Sequence, residues 1–280
     1  MKVAEMIGEV RKIVESWRKE GLSVGLVPTM GYLHLGHESL IEKAVEENDR
    51  VVVTIFVNPA QFDRAEDLEN YPVKTEEDLK IIEKIGGALV FLPDATEIYP
   101  EGFNTVLEVE ELDKELCGAT RPGHFRGVCT IVNKLFNIVG PTRAYFGEKD
   151  YQQLAIIRRM VTDLNMPVEI IGCPIVRDED GLALSSRNAR LSADKREKAL
   201  ILSRTLRELK ERVAEGERET SKLIRWAIER IEKVPQARVD YFEVVDRETL
   251  QRLDVVESGG VVAAAVFIGK VRLIDNILVG

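Results

Sequence analysis

Histidine and cysteine are scarce in this sequence, with three of each among its 280 residues. The cysteines Cys117, Cys129 and Cys173 lie far apart, and no Cys-x-x-Cys pair occurs among them. A disulfide framework or a cysteine-rich zinc site therefore has no support in the sequence. We expect the three cysteines to be buried thiols in the reducing environment of the cytoplasm.

Long apolar stretches and a surplus of basic residues are also absent. The longest apolar run, around residues 259–268, is too short to span a bilayer. Residues 1–17 form an amphipathic pattern and lack the apolar segment of a signal peptide. The 39 basic and 48 acidic side chains give a net charge of −9, which disfavours extended binding to nucleic acid but allows a local nucleotide pocket. We expect neither a membrane partner nor a nucleic-acid partner.

Two common nucleotide-binding motifs, the Walker A sequence and Gly-x-Gly-x-x-Gly, do not occur either. What does occur, up to about residue 180, is an alternation of short β-branched runs with helical periods, which predicts βαβ units around a parallel sheet. After Gly181, two long charged helices precede three strands. We predict an α/β protein with a Rossmann-like parallel sheet in residues 1–180 and a smaller α+β lid domain in residues 181–280.

The predicted elements follow from apolar periodicity and from turn residues. In chain order they are a strand at Leu22–Val27, a helix at His37–Glu47, a strand at Arg50–Val57, a helix at Thr75–Ile85, a strand at Ala88–Leu92, a helix at Phe125–Val139, a strand at Arg143–Phe146, a helix at Tyr151–Leu164, a strand at Val168–Cys173, helices at Ala193–Glu215 and Ser221–Val234, and strands at Val239–Val245, Val261–Ile268 and Val271–Asn276. Thr75 begins Thr-Glu-Glu-Asp, which predicts a capping box. Gly269 and Lys270 predict a tight hairpin turn.

The segment Pro28-Thr-Met-Gly-Tyr-Leu-His-Leu-Gly-His37 joins the first predicted strand to a helix. Such a loop directs backbone N–H groups at a ligand, and Gly31 and Gly36 let the backbone approach a phosphate closely. His34 and His37 can donate hydrogen bonds to charge that develops on a transferred phosphoryl group. Two other interpretations stay open: a zinc pair, which lacks a third ligand at useful spacing, and a purely structural role.

Amide side chains follow the next predicted strand, in Phe56-Val-Asn-Pro-Ala-Gln-Phe62. Asn58 and Gln61 are neutral donors and acceptors, and they suit the binding of hydroxyl groups and a carboxylate. An ordinary polar loop with an Asn-Pro turn would have the same composition. On its own, this segment does not distinguish a ligand-binding role from an ordinary polar loop.

Two later segments carry charge that can hold phosphates. Lys149 can pair with a phosphate, and Gln153 is predicted to lie one turn later on the same helix face, although a solvated charge cluster is an alternative. Ser185, Ser186 and Arg187 lie in a predicted interdomain loop that can close over a triphosphate, although a simple helix cap is an alternative.

Together with Arg121-Pro-Gly-His-Phe-Arg-Gly-Val128, these segments occur in the order PTMGxLHxGH, FVNPxQF, RPGHFRGV, GEKDxQQ and SSRN. In this order and over essentially its whole length, the sequence resembles the pantothenate synthetases (pantoate–β-alanine ligases) of the HIGH-type nucleotidyltransferase superfamily. The resemblance implies a cytoplasmic, homodimeric enzyme that activates pantoate with ATP and Mg²⁺ as pantoyl adenylate. The amine of β-alanine then displaces AMP to give pantothenate.

The resemblance also implies roles for individual residues. His37, His34 and Lys149 would be catalytic, Gln61 and Gln153 would bind pantoate, and Gln61 would also contact β-alanine. The implied ATP-binding residues are Met30, Gly31, Tyr32, Leu33, His34, Leu35, Gly36, His37, Gly147, Glu148, Lys149, Asp150, Val176, Leu184, Ser185, Ser186 and Arg187. Protein ligands of Mg²⁺ are not assigned, and Glu77 and Asp78 are the first candidates.

The sequence departs from the family pattern at Tyr32, Leu35 and Asp63. Asp63 replaces a glycine, and aspartate adopts a positive φ less readily than glycine, so the loop after Gln61 can differ there. Three rival functions are a tRNA synthetase, a nucleotidyltransferase that makes a dinucleotide or an activated sugar, and a nucleotide-binding module without turnover. The short acidic chain argues against the first, and the Asn58–Gln61 pair argues against the second.

Overall fold

The computed structural model describes residues 1–257 and 259–280. The helices are α1 (Ile7–Lys19), α2 (Leu35–Glu47), α3 (Ala65–Glu69), α4 (Thr75–Ile85), α5 (Ala95–Ile98), α6 (Leu116–Thr120), α7 (His124–Val139), α8 (Tyr151–Asp163), α9 (Ala193–Ala214) and α10 (Thr220–Glu232). The strands are β1 (Lys2–Ala4), β2 (Val24–Thr29), β3 (Arg50–Ile55), β4 (Leu89–Phe91), β5 (Arg143–Gly147), β6 (Glu169–Cys173), β7 (Ala237–Asp246), β8 (Gly260–Ile268) and β9 (Val271–Val279). Three short 3₁₀ helices lie at Pro59–Gln61, Glu148–Asp150 and Ser186–Arg190.

The first sheet is parallel, with strand order β1-β4-β3-β2-β5-β6. β2 pairs with β3 on one side and with β5 on the other, so the chain changes direction across the sheet at β2. In open α/β sheets, ligands bind beyond the carboxyl ends of the strands at such a switch point. The segments that follow β2, β3 and β5 therefore emerge at the position where a ligand is expected.

The strands of this sheet are nearly continuous in apolar residues because helices cover its faces. α2 packs on β2, β3 and β5, and α4 packs on α2. A buried core on this side includes Val27, Ile41, Val53, Ile82 and Tyr145. This packing makes the sheet a rigid base for the loops at its carboxyl edge.

The second sheet is antiparallel, with order β7-β8-β9. α10 packs on β7, and α9 packs on β8, β9 and α10. Their buried core is drawn from residues 182–279. The two-residue turn between β8 and β9 places Gly269 at φ 61°, which confirms the predicted hairpin turn. The predicted α/β architecture, with a parallel sheet followed by a smaller α+β part, is confirmed.

The chain divides into two compact units that are not continuous in sequence. The first contains residues 1–109, 121–148 and 156–174, and the second contains residues 110–120, 149–155 and 175–280. The division into folding domains 1–180 and 181–280 stays a prediction.

The sequence missed the short elements β1, α3, α5 and α6, which are three to five residues long. The predicted capping box at Thr75 is wrong, because Lys74 is the residue that precedes α4 and Thr75 is already helical. All three cysteines are buried, as predicted. Within the described ranges, no helix combines the length and apolar character needed to cross a membrane.

Candidate active site

The loop after β2 is held in place by a buried carboxylate. Asp78, on α4, is 2% exposed and accepts hydrogen bonds from the backbone N–H of Tyr32 (2.7 Å) and of Leu33 (2.8 Å). Gly31 and Tyr32 both have positive φ, and a Cβ at Gly31 would lie 3.0 Å from Ile55 and 3.1 Å from Asp78. Burial raises the pKa of the Asp78 carboxyl, and the two N–H donors oppose that shift. The shape of the loop therefore depends on Asp78, which lies more than forty positions later in the sequence. The sequence did not indicate this structural role.

His34 and His37 lie at the start of α2 with their rings stacked. The ring centroids are 4.1 Å apart, and the planes are tilted by 36°. His34 Nδ1 accepts the N–H of Gly36 (3.2 Å), and His37 Nδ1 accepts the N–H of His34 (3.4 Å). Because each Nδ1 is an acceptor, the hydrogen of each neutral ring lies on Nε2. The two rings lie at the start of α2, beside the positive end of the helix dipole, a position that suits an anionic ligand.

The two amides after β3 are not equivalent. Asn58 is buried, and its Nδ2 donates to Gln61 Oε1 (2.9 Å) and to the carbonyl of Gly127 (3.1 Å). Gln61 is partly exposed, and its Nε2 lies 3.2 Å from the sulfur of Met30 in the preceding loop. Gln61 is therefore placed to contact a ligand next to the Met30–His37 loop, whereas Asn58 holds Gln61.

The Arg121–Val128 segment supports the same turn from the start of α7. Arg121 donates to the carbonyl of Gln61 at 3.2 Å, and His124 Nδ1 lies 2.8 Å from that oxygen. Arg121 also donates to the carboxylate of Asp63 at 2.9 Å. Asp63 does not have a positive φ, so the aspartate lies here without the strain of a left-handed backbone, and it forms an ion pair with Arg121.

The segment after β5 contains Lys149, which lies in the 3₁₀ helix Glu148–Asp150, with Gly147 as the last residue of β5. α8 begins at Tyr151, so Lys149 lies in the 3₁₀ turn that leads into the α-helix of Gln153, and their shared face stays a prediction. Asn276 Nδ2 donates to the carbonyl of Lys149 (2.9 Å), and Lys149 Nζ lies 3.6 Å from the carboxylate of Asp150. The backbone of Lys149 is thus fixed by a buried residue of β9.

The two adjacent glutamines of α8 differ in burial. Gln152 is 6% exposed, and its side chain bonds the N–H of Cys117 and the carbonyls of Leu112 and Glu115. Gln153 is partly exposed. The binding of pantoate by Gln153 stays a prediction.

The Leu184–Arg187 segment is ordered by hydrogen bonds to its own neighbours. Leu184 N–H donates to the carbonyl of Val176 (3.0 Å), which places these two predicted ATP-binding residues side by side. Ser185 caps the 3₁₀ helix Ser186–Arg190 by accepting the N–H of Arg187 at 3.3 Å. The strand-like pairing of this segment continues through Arg177, which binds the buried Asp275 in a bidentate ion pair.

The first candidates for Mg²⁺ ligands have other roles. Both oxygens of Asp78 accept loop N–H groups, and Glu77 forms an exposed ion pair with Lys74 at 2.8 Å. Within residues 1–257 and 259–280, no group of three or more His, Cys, Asp or Glu side chains could hold a metal ion.

Comparison with known proteins gives one consistent family. The family model for pantoate–β-alanine ligase matches residues 2–278. A pantothenate synthetase from Ruminiclostridium cellulolyticum is 56% identical over 276 residues, covering 99% of this chain and 98% of that protein. A pantothenate synthetase structure from Thermus thermophilus has a TM-score of 0.93 at 46% identity, covering 99% of both chains.

A further structure is that of a pantoate–β-alanine ligase from Francisella tularensis in complex with beta-gamma ATP and β-alanine. It has a TM-score of 0.85 at 37% identity and covers 99% of this chain and 97% of its own. The matches therefore extend over the whole described chain and include both of its sheets. This chain belongs to the pantoate–β-alanine ligase family.

Proposed function

We propose that this protein condenses (R)-pantoate with β-alanine at the expense of ATP, through a pantoyl-adenylate intermediate. The observation that carries the proposal is the paired His34–His37 loop at the carboxyl edge of β2, with Gln61 beside it, in a chain that belongs to the ligase family throughout. The carboxylate of pantoate attacks the α-phosphorus of ATP and pyrophosphate leaves. The amine of β-alanine then attacks the acyl carbon, and AMP leaves as the amide forms.

The first unit would stabilise the phosphoryl group by donated hydrogen bonds. Residues Met30–His37 form the ATP loop, in which the Nε2–H groups of His34 and His37 meet oxygens whose negative charge grows in the transition state. Gly31 lets the loop pack closely on Ile55 and Asp78, because a side chain there would meet both residues. Gly147 and Glu148 complete the ATP contacts contributed by this unit.

The second unit would supply the positive charge. Lys149 pairs with phosphate, Asp150 lies beside it, and Val176 and Leu184 pack near adenine. Ser185, Ser186 and Arg187 donate to the triphosphate and exclude water when it is bound. Positioning and charge neutralisation account for most of the catalysis, since the chain needs no covalent intermediate of its own.

Pantoate needs hydrogen-bond donors for its carboxylate and its hydroxyl groups. Gln61 has its Oε1 bonded to Asn58, so it presents Nε2–H toward substrate. Gln153, partly exposed on α8, is the second pantoate-binding amide, and Gln61 also contacts β-alanine. Both residues are neutral, which avoids adding charge beside the carboxylate that must attack.

Mg²⁺ would be held mainly by the phosphate oxygens of ATP. It keeps several waters and requires few protein oxygens, so this arrangement fits a site without a carboxylate cluster. When bound, the ion withdraws negative charge from the triphosphate. The chain's own contribution remains the donors of the histidine loop and the charges of Lys149 and Arg187.

The nucleotide product is the measurement that tests the reaction. ATP and pantoate without β-alanine should release about one equivalent of pyrophosphate per active site and then stall, because the desolvated pocket protects the mixed anhydride. Labelled pyrophosphate should enter ATP only when pantoate is present, and β-alanine should restore turnover with AMP as product. Formation of ADP would overturn the adenylate mechanism.

We also propose that the protein is a cytoplasmic homodimer, on the basis of its family alone. The chain mass is 31.5 kDa, so light scattering should give about twice that value at micromolar concentration. A mass of 31.5 kDa under those conditions would overturn the homodimer.

A further inference from the structure

A partly buried chain of hydrogen bonds runs from Tyr99 through the buried Asn58 to Gln61. Tyr99 Oη lies 2.7 Å from Asn58 Oδ1, and Asn58 Nδ2 lies 2.9 Å from Gln61 Oε1. Tyr99 follows α5, and Asn58 follows β3, so the chain of bonds joins two segments of the parallel-sheet unit. The motif residues Asn58 and Gln61 were recognised from the sequence, but Tyr99 was not.

The polarity of this chain is fixed by two backbone groups. The carbonyl of Gly127 can only accept, so the nitrogen of the Asn58 amide must face it (3.1 Å). The N–H of Ala60 can only donate, so the oxygen of the same amide must face it (3.3 Å). Asn58 therefore has one possible orientation, with its oxygen toward Tyr99 and its nitrogen toward Gln61.

This orientation determines what the other two residues do. Facing an amide oxygen, the hydroxyl of Tyr99 must donate. Facing an amide nitrogen, Gln61 must accept with Oε1, which leaves its Nε2–H group as the donor on the opposite side. One hydrogen of Nε2 points to the sulfur of Met30, a weak acceptor at 3.2 Å, and the other stays available to a ligand.

The surroundings of Tyr99 keep it in the donor state. Its ring contacts Phe103 in an edge arrangement with centroids 5.1 Å apart, and Phe56 lies at 6.3 Å. Burial raises the pKa of the Tyr99 phenol to about 12, so the hydroxyl stays protonated at neutral pH. The packed ring also limits rotation of the phenol away from Asn58.

We propose that Tyr99 is a positioning residue that, through Asn58, fixes Gln61 as a hydrogen-bond donor and so determines recognition of the acid substrate's oxygens. The proposal rests on the proposed function only for the identity of that acid. Without the Tyr99 hydroxyl, Asn58 Oδ1 keeps one donor instead of two, and the amide pair is held less firmly. Gly127 and Ala60 still set the orientation of Asn58, but the weaker restraint lets the Gln61 amide rotate more often, and a rotated amide presents Oε1, which repels a carboxylate.

The test compares Tyr99→Phe with Tyr145→Phe. Tyr145 is the control because its buried hydroxyl also bonds an asparagine side chain, accepting from Asn48 Nδ2 at 2.7 Å while it donates to Glu47, and belongs to no part of the proposed site. Tyr99→Phe should raise KM for pantoate about tenfold and reduce discrimination against the analogue without the 2-hydroxyl by a similar factor. KM for ATP should change less than twofold, and Tyr145→Phe should change none of these values.

A second variant, at Asn58, interrupts the series of hydrogen bonds between Tyr99 and Gln61. Asn58→Asp keeps the acceptor for Tyr99 but removes the donor to Gln61, so it should impair pantoate binding more than Tyr99→Phe does. In that background Tyr99→Phe should add little to KM for pantoate, because both changes act through the orientation of the Gln61 amide. Independent, additive effects of the two changes would overturn the proposal, as would an effect of Tyr99→Phe on ATP and pantoate alike.

A measurement without substrate separates this proposal from the proposed reaction. Side-chain amide resonances of Asn58, assigned by difference from Asn58→Asp, should exchange hydrogen slowly in the unaltered protein and in Tyr145→Phe. Exchange should accelerate at least tenfold in Tyr99→Phe. Unchanged exchange would overturn the positioning role whatever the substrate proves to be, whereas failure of the unaltered protein to use pantoate would overturn only the reaction.

Discussion

At the scale of single residues, backbone hydrogen bonds determine the tautomers of His34 and His37. The N–H groups of Gly36 and His34 occupy the two Nδ1 atoms, which places the hydrogens of the neutral rings on Nε2. A histidine at the same position in an extended strand would have no such constraint on its tautomer. The loop therefore presents donors, and donors are what a phosphoryl group in transfer requires.

The first prediction concerns His37→Ala. We expect adenylate formation to slow by about 10²–10³-fold, the usual loss for one transition-state donor. The bond from His34 N–H to His37 Nδ1 is long at 3.4 Å, so the free energy of unfolding should change little. Single-turnover release of pyrophosphate measures the rate, and an unchanged rate would remove His37 from the mechanism.

Asp63 forms an ion pair with Arg121 whose contribution to stability depends on pH. Burial disfavours its charge, but the hydrogen bond and charge of Arg121 outweigh burial and lower the pKa of the carboxyl. A carboxyl whose pKa is lower in the folded state stabilises the protein above its unfolded pKa, about 3.9, and loses that contribution as pH falls through the folded value. Because Asp63 keeps contact with solvent, screening limits the contribution.

We therefore expect Asp63→Asn to lower the free energy of unfolding by about 0.5 kcal/mol at pH 7. The difference between the two proteins should shrink as pH falls below 4. Urea denaturation over a pH series measures both quantities, and turnover at pH 7 should change less than twofold because Asp63 contacts Arg121 rather than Gln61. A difference that grows in acid would contradict the assigned direction of the pKa shift.

At the scale of secondary-structure elements, α7 packs closely against the turn that contains Gln61. A Cβ at Gly127 would lie 2.2 Å from the carbonyl oxygen of Ala60, far inside van der Waals contact. Within an α-helix, alanine is normally favoured over glycine by about 1 kcal/mol. At this position the tertiary contact reverses that preference, since the helix and the turn can approach only without a side chain.

The corresponding prediction pairs Gly127→Ala with Gly8→Ala. Gly8 lies in α1 with no atom within 4 Å of an added Cβ, so its substitution should stabilise the protein by up to about 1 kcal/mol. Gly127→Ala should instead destabilise by about 1–3 kcal/mol and raise KM for pantoate, because Ala60 and Gln61 are displaced together. Equal gains in the urea midpoint for both variants would show that α7 does not constrain the turn.

Helices with a clear apolar period could be predicted from the sequence. Side chains that hold the site through hydrogen bonds to residues distant in sequence could not. The bounds of α4 match the prediction, and those of α7 and α8 agree to within one residue, because each has an apolar period over at least three turns. β1 has three residues and no period of its own. Asp78, Tyr99 and Asn276 act on residues 41 to 127 positions away, so only the folded chain brings each to its partner.

At the scale of the whole molecule, the second unit has a hydrophobic core of its own. That core is drawn from residues 182–279, which places every member after Gly181. The predicted domain 181–280 thus contains every buried residue of this core. It lacks Arg177, however, and Arg177 is the ion-pair partner of Asp275, a carboxylate with a side chain only 2% exposed.

The final prediction therefore compares a fragment of residues 175–280 with one of residues 181–280. Both contain the core, but only the longer one pairs Asp275, and removal of one partner leaves a buried charge that is strongly unfavourable. We expect the longer fragment to unfold cooperatively on heating and the shorter one to melt at a clearly lower temperature, as measured by circular dichroism. Arg177→Ala in the longer fragment should reproduce most of the difference, because the other five residues contribute little to the core. Equal melting temperatures for the two fragments would show that the ion pair is dispensable and that the folding boundary lies at Gly181. If neither fragment melts cooperatively, residues 110–120 or 149–155 are required for folding, and the chain has no C-terminal domain that folds alone.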